Sequence, residues 1–208
     1  LTQIIDCASW LAICVHFSRT PIIWLNQVSR KPDSTIFYED LVSDKINLEL
    51  IKITLNRGLF TQIGGGRFKF FHKNYEDYLV AFALNKFIAP LQWPAMLFTR
   101  DNKGILIFSK GVASWLATLN DNFLDEVLIR EPELLLSSND IIQNIGKAKL
   151  CNAILSRADN LSYRQRHLVA TSKNLFRLNS PDTLTLISDY IQDKSKSNST
   201  FAFVFEIV

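Results

Sequence analysis

The apolar residues between positions 2 and 17 recur with the spacing of an amphipathic helix. This spacing predicts a helix with one buried face. The apolar residues on that face are Ile4, Ile5, Ala8, Leu11, Ala12 and Val15. Residues 21–25 then form a short apolar run, which predicts a strand. After a polar loop, Ser34 or Thr35 is expected to cap a short helix that ends at Val42.

A third helix and a β-hairpin follow in the pattern. Asn47 opens a stretch whose leucine and isoleucine side chains share one helical face, and Gly58 is a natural C-terminal stop. Residues 59–63 and 67–71 are rich in aromatic and β-branched side chains and flank three consecutive glycines. Because glycine readily adopts positive φ, these residues predict a hairpin. The pattern of residues 74–87 predicts another helix.

Helical signals continue beyond Pro94. Residues 104–119 predict one helix. Further helix starts are expected near Asp121, Asn139, Asn160 and Ser180, which are 18, 21 and 20 residues apart. Two helices therefore recur about every 40 residues, which is close to the period of HEAT-like repeats.

The order of these elements predicts a mainly α protein with a small β-hairpin. Helix, strand, helix, helix and hairpin is the order of a winged-helix domain, which we expect over residues 1–90. Residues 91–103 contain helix-breaking and polar positions and predict a linker. Residues 104–208 are expected to form antiparallel HEAT-like helical repeats. The chain does not begin with Met and ends in the apolar FAFVFEIV, so we expect it to be a piece of a longer protein.

One stretch, RFKFFHKNYEDYLVAFAL at residues 67–84, resembles the end of the winged-helix domain in NACHT-type STAND NTPases. The matching positions are Phe68, Phe70 and His72 in the strand, and Glu76, Tyr78, Leu79 and Ala81 in the helix. Two positions depart mildly, because Asp77 stands where the family usually has Glu and Val80 where it usually has Ala. The resemblance covers residues 1–90 and extends more loosely through 115–117 and 129–134.

The resemblance implies a regulatory and structural role for this segment, and the lack of a phosphate-binding loop in its sequence predicts no enzyme activity. Such proteins, many of them bacterial, bind ATP or ADP with Mg, oligomerise when a helical sensor recognises a protein trigger, and often act in innate or antiphage defence. In the family, the histidine matched by His72 reaches the β-phosphate of bound ADP. It thereby ties the winged helix to the nucleotide-binding domain of the same chain. We therefore expect His72 to be the cofactor-binding residue here.

The residues show no catalytic or metal-binding set. The three glycines at 64–66 are not followed by the lysine and helix of a phosphate-binding loop. His16 and His167 have no ligand-spaced partner, and His16 is expected to serve the last carbonyls of the first helix. Adjacent helical residues diverge by about 100°, so neither acidic pair is expected to form a two-carboxylate site. These pairs are Glu76 with Asp77 and Asp125 with Glu126.

The amino-acid composition limits the classes of partner and the cellular location that the sequence favours. A net charge of +3 is too small to indicate nucleic acid or a membrane. The longest weakly charged run, residues 80–98, contains Lys86 and two prolines, so we expect a buried helix and a linker with no membrane span. The three cysteines lack a CxxC pair, which favours reduced thiols in the cytoplasm.

Two alternatives remain open from the residues. A DNA-binding winged-helix regulator would need a basic recognition helix at residues 47–57, which offers only Lys52 and Arg57 and carries Glu49. Nucleic acid is therefore an unlikely partner. The other alternative is a plain helical-repeat scaffold for protein interactions, with no link to a nucleotide.

Overall fold

The computed structural model describes residues 2–26, 34–101, 103–137, 139–159 and 174–193. The chain groups into two units, Leu1–Met96 and Leu97–Val208. The division between them falls within residues 91–103, the expected linker. That segment contains helix α4 (Trp93–Leu97) as well as turns.

Three helices build the first unit: α1 (Thr2–Ser18), α2 (Leu48–Leu55) and α3 (Lys73–Phe87). Their positions confirm three of the helices that the sequence predicts. α1 packs chiefly against α3, and the contact buries the small and branched residues Ala8, Leu11, Ala12, Val80, Ala83 and Leu84 completely. Alanines at this contact let the two backbones approach closely. Asn47 caps α2, because its Oδ1 accepts a hydrogen bond of 2.9 Å from the Leu50 backbone N–H.

A small sheet completes this unit. It contains β1 (Ile22–Trp24), β2 (Thr35–Phe37), β3 (Phe60–Gln62) and β4 (Arg67–Phe70), in the order β2-β1-β4-β3. β1 pairs with β2 in parallel and with β4 antiparallel, and β3 pairs antiparallel with β4. In register, Ile23 lies opposite both Ile36 and Phe68.

The helix expected from Ser34 or Thr35 to Val42 is wrong over its first half. Residues 35–37 form β2, and Tyr38–Asp40 is a single 3-10 turn. Thr35, Ile36 and Phe37 are β-branched or aromatic, which suits a pleated strand. Pairing with β1 supplies the backbone hydrogen bonds that a helix would otherwise provide. The polar positions nearby resembled a cap, but the long-range pairing outweighs that local signal.

The glycine turn between β3 and β4 confirms the predicted hairpin. Gly64, Gly65 and Gly66 all have positive φ, at 91°, 60° and 73°. The carbonyl of Gly65 accepts hydrogen bonds from Trp24 Nε1 at 2.8 Å and Asn26 Nδ2 at 3.1 Å. These bonds fix the turn against the end of β1.

The second unit is helical. Its helices within the described residues are α5 (Lys110–Leu119), α6 (Asp121–Arg130), α7 (Asn139–Ile145), α8 (Lys147–Asp159) and α9 (Pro181–Gln192), with 3-10 turns at Ile107–Ser109, Pro132–Ser137 and Leu175–Leu178. The predicted starts near Asp121, Asn139 and Ser180 are confirmed. Asn120 and Ser180 act as caps by accepting from Phe123 N–H and Thr183 N–H. The predicted start near Asn160 lies outside the described residues.

Glu131, a buried residue that directly follows α6, connects the end of that helix to the first residues of this unit. Glu131 Oε1 accepts from the Ile105 backbone N–H at 2.8 Å, and Glu131 Oε2 lies 2.7 Å from Lys110 Nζ. Gly104 passes so close that a Cβ there would lie 2.8 Å from Glu131 Oε1. The helix predicted over 104–119 begins only at Lys110, because Ile105 forms a bridge with Phe98 and residues 107–109 form a 3-10 turn.

The described part of the chain is thus mainly α-helical with one small four-stranded sheet. Within it, each helix is too short or too polar to cross a bilayer.

Candidate functional site

His72 lies at the junction between β4 and α3. Its backbone is extended, with φ −130° and ψ 141°, and its carbonyl accepts from the Tyr75 backbone N–H at 3.1 Å, which starts the helix. Its ring makes no capping hydrogen bond to the described first turn of α3. The side chain is exposed and contacts the rings of Phe71 and Tyr75 edge-on, with centroids 4.4 Å and 5.4 Å away.

This position suits contact with an anion from outside the unit. The first backbone N–H groups of a helix carry a partial positive charge, which favours negative groups. An exposed imidazole nitrogen can add one hydrogen bond to such a group. The ring is not a core side chain, so its removal leaves no buried cavity.

Exposed aromatic side chains lie on both sides of His72 in the chain. Phe71 is 56% exposed, Tyr75 42% and Tyr78 40%. Tyr75 and Tyr78 are three residues apart in α3, so they share one face of that helix. Clustered exposed apolar side chains mark sites of contact with other protein surfaces.

Immediately after His72 in the chain, a charged cluster joins α1 to α3, and three of its four members are buried. Its members are His16 on α1 and Lys73, Glu76 and Asp77 in the first turn and a half of α3. The His16 Nδ1 atom lies 3.4 Å from Glu76 Oε1 and 3.9 Å from Asp77 Oδ1. Lys73 Nζ lies 3.0 Å from Asp77 Oδ1 and 3.3 Å from His16 Nδ1, and it contacts Glu76 Oε1 directly.

Burial and charge pairing act against each other in this cluster. Burial alone would raise the pKa of Glu76, but hydrogen bonds to His16 and Lys73 outweigh it and hold that pKa below its ordinary value. Burial raises the pKa of Asp77, and Lys73 offsets only part of this effect. Burial would lower the pKa of Lys73, yet its bonds to the two carboxylates raise it. Two carboxylates thus face one ammonium beside the imidazole.

This cluster was not predicted from the sequence. Glu76 and Asp77 were not expected to form a two-carboxylate site, because adjacent side chains diverge on a helix, and that prediction is wrong. Lys73 is three residues from one and four from the other, so its ammonium reaches both. His16 approaches from α1 into the gap between them. The spacing of Lys73 was the available signal, but only the packing of α1 on α3 brings the histidine into place.

His16 has a contact that the sequence did not predict. Its ring is buried, and Nδ1 faces Glu76 and Asp77, so the side chain links α1 to α3. The expected contact of this ring with the last carbonyls of α1 stays a prediction. His167 lies outside the described residues.

The cysteines are not activated nucleophiles. Burial raises the pKa of Cys14 and of Cys151 to about 11 and also raises the pKa of Cys7. All three are free thiols. A thiol with a raised pKa is almost wholly protonated near neutral pH, and the protonated form is a poor nucleophile.

Comparison of the chain with protein-family models, curated proteins and solved structures finds no match.

Proposed function

We propose that this chain is a regulatory and structural segment of a NACHT-type STAND NTPase. In this proposal, residues 1–90 form its winged-helix domain, residues 91–103 a linker, and residues 104–208 the start of a HEAT-like sensor. The segment couples the nucleotide state of the longer protein to the sensor. Bacterial innate or antiphage defence is the proposed setting, and the cytoplasm the proposed location.

The placement of His72 is the observation that supports this proposal most. The family uses a histidine at this motif position to contact the β-phosphate of ADP, and such a contact requires an accessible ring. Here the ring is exposed at the N-terminus of a 15-residue helix. Both the imidazole and the helix end favour a phosphate. A histidine that was buried, or whose ring capped the helix, would not be available to contact a phosphate.

The order of elements adds support. A helix, a strand, a helix and a hairpin precede α3, and β4 pairs with both β1 and β3. The expected second helix is replaced by β2 and a 3-10 turn, which is a departure from the winged-helix order. In the second unit, α5 packs on α6, and α8 packs on α6 and α9, and packing between neighbouring helices is compatible with the proposed repeats.

The proposed coupling follows from where His72 lies. In the resting protein, the ADP phosphate would be held jointly by the nucleotide-binding domain and by His72. That shared contact stabilises the closed arrangement of domains. Binding of a protein trigger to the helical repeats, followed by exchange of ADP for ATP with Mg, would remove the contact and permit oligomerisation. Hydrolysis belongs to the nucleotide-binding domain, so this segment itself has no catalytic residue in the proposal.

A DNA-binding regulator is the weaker function. Such a protein would present basic side chains along α2 toward phosphates and base edges. In the structure α2 exposes Lys52, but beside it lie the exposed Glu49 and Ile53. An acidic side chain repels phosphate, and an exposed isoleucine favours a protein surface.

ADP affinity of the longer protein tests the proposal. His72→Ala should weaken ADP binding by about ten- to a hundredfold, because a hydrogen bond to a charged group contributes about 1–3 kcal/mol. Asn74→Ala, an exposed change two residues away, is the matched control and should leave affinity unchanged. Calorimetry on both variants measures the difference. Equal ADP affinities for wild type and His72→Ala would rule out the phosphate contact.

A further inference from the structure

The charged cluster between α1 and α3 has the composition of a metal site in which a lysine ammonium lies where the metal ion would bind. One imidazole nitrogen and two carboxylate oxygens, from His16, Glu76 and Asp77, lie within 4.8 Å of one another. Lys73 Nζ sits among them, at 3.0 Å from Asp77 Oδ1 and 3.3 Å from His16 Nδ1 and in contact with Glu76 Oε1. All three ligand residues are buried, with exposed fractions of 4%, 7% and 6%.

The spacing of these atoms is close to that of a transition-metal site. Metal bonds of about 2.0–2.2 Å in tetrahedral geometry place neighbouring ligand atoms about 3.4 Å apart. The distance from His16 Nδ1 to Glu76 Oε1 is 3.4 Å, and that to Asp77 Oδ1 is 3.9 Å. All three ligand atoms lie within 4.8 Å of one another, so an inward movement of Asp77 would complete the geometry.

Asp77 contributes a buried oxygen that is paired with the ammonium. Its Oδ1 atom forms an ion pair of 3.0 Å with Lys73 Nζ, and the side chain is 9% exposed. A buried carboxylate is costly unless it is paired or bound to a metal. A metal ion in place of the ammonium would serve the same role.

The ammonium that lies among the three ligand atoms belongs to a side chain that reaches solvent. Lys73 can leave, because its side chain is 56% exposed and its helix position borders solvent.

We propose that His16, Glu76 and Asp77 bind a single divalent transition-metal ion, and that Lys73 is the internal cation which this metal displaces. An imidazole with two carboxylates suits ions such as Zn²⁺ and Co²⁺ better than Mg²⁺ or Ca²⁺. The bound ion would link His16 on α1 to Glu76 and Asp77 near the start of α3. The site does not depend on the proposed NTPase function.

Cobalt binding to the metal-free chain tests the site. Lys73→Met removes the competing ammonium while keeping the apolar stem, so it should bind one Co²⁺ about tenfold or more tightly than wild type does. Adding Asp77→Asn to Lys73→Met should then weaken binding by about tenfold or more, because loss of a direct ligand costs at least as much as loss of a supporting contact. Calorimetry with Co²⁺ measures both. The proposal is wrong if Lys73→Met gains no affinity, or if the double variant binds as tightly as the single one.

A second measurement uses the wild-type chain and does not depend on the variants folding. Paramagnetic Co²⁺ should shift the imidazole signals of buried His16 more than those of exposed His72. The visible spectrum should show no thiolate charge-transfer band, since the ligands are nitrogen and oxygen. Larger shifts at His72, no shift at His16, or a thiolate band from the free cysteines would each overturn the site.

Discussion

Single residues set the two features that matter most in this chain, an exposed histidine and two buried charged centres. His72 lies between two elements, because β4 ends at Phe70 and α3 begins at Lys73. Glu131 and the cluster around Glu76 are buried, so each carboxylate depends on a small number of partners. Losing one partner of a buried charge leaves the other uncompensated, which costs more than losing an exposed pair.

Glu131→Ala should destabilise the second unit by about 1–3 kcal/mol, the range for a hydrogen bond to a charged group. The change removes acceptors from the Ile105 N–H and the Lys110 ammonium together. Glu126→Ala is the control, because that carboxylate is 47% exposed and pairs only along α6 with Arg130. It should cost no more than about 0.5 kcal/mol. Urea unfolding measures both, and equal losses would show that Glu131 does not anchor residues 104–106.

Glu76 and Asp77 should have opposite effects on the stability of the folded chain as pH falls. The pKa of Glu76 is lowered in the folded chain, so its contribution is present above the ordinary value of 4.5 and is lost as pH falls through the lower folded pKa. Asp77 has a raised pKa, so its ionisation opposes folding, and stability is regained as pH falls from that pKa toward 3.8. The stability gap between wild type and Glu76→Gln should therefore shrink in acid.

Asp77→Asn should behave in the opposite sense, since it removes a group whose protonation favours the folded chain. The free energy of unfolding of this variant should therefore decrease relative to that of wild type as pH falls through the raised pKa of Asp77. Urea unfolding across a pH series, in buffer with a chelator, measures both variants. Parallel pH curves for wild type and the two variants would contradict the charge assignment.

At the scale of elements, the sheet and the packing of α1 on α3 hold the first unit together. The hairpin is short, and its turn relies on positive φ at three successive glycines. Trp24 and Asn26 both donate to the Gly65 carbonyl, so the turn also holds the end of β1. A change in this turn should therefore affect the sheet as a whole.

Gly66→Ala should destabilise the first unit by about 1–2 kcal/mol or more, the cost of left-handed backbone for a residue with a Cβ. Its φ is 73°, and the added carbon would lie 2.6 Å from Asn26 Oδ1. Gly58→Ala is the matched control, because nothing lies within 4 Å of that position. It should be neutral or slightly stabilising, within about 1 kcal/mol. Thermal unfolding would contradict the turn's role if both variants melted alike.

Helix positions were largely predictable, because periodic apolar residues and caps are local signals. Asn47 and Ser180 cap helices as their sequence positions indicate. β2 was not predictable in the same way, because residues 35–37 become a strand only by pairing with β1. The charged cluster is likewise a tertiary feature: His16 is 60 residues from Glu76 and meets it only through the contact of α1 with α3.

At the scale of the whole molecule, the chain consists of two units that meet in sequence between Met96 and Leu97. Residues around this division include exposed positions, among them Arg100 and Lys103. Each unit has its own buried residues, such as Leu11 in the first and Leu116 in the second.

Limited trypsin digestion should therefore cut first at Arg100 or Lys103, among the described residues. Lys86 lies within α3 and pairs with Asp6 at 2.6 Å, so it should resist cleavage longer. Mass spectrometry of the early fragments gives the order. A first cut between residues 67 and 88 would show that β4 and α3 do not belong to one stable unit.

Trigger-free oligomerisation of the longer protein tests most directly whether His72 couples nucleotide state to assembly. His72→Ala should weaken the ADP-bound resting state by about 1–3 kcal/mol. Such a loss would raise the population of the active state by about ten- to a hundredfold. Light scattering with ADP present and no trigger should then detect oligomers of His72→Ala, while wild type and Asn74→Ala stay in the resting form. A His72→Ala protein that remains in the resting form without its trigger, at unchanged thermal stability, would contradict the account.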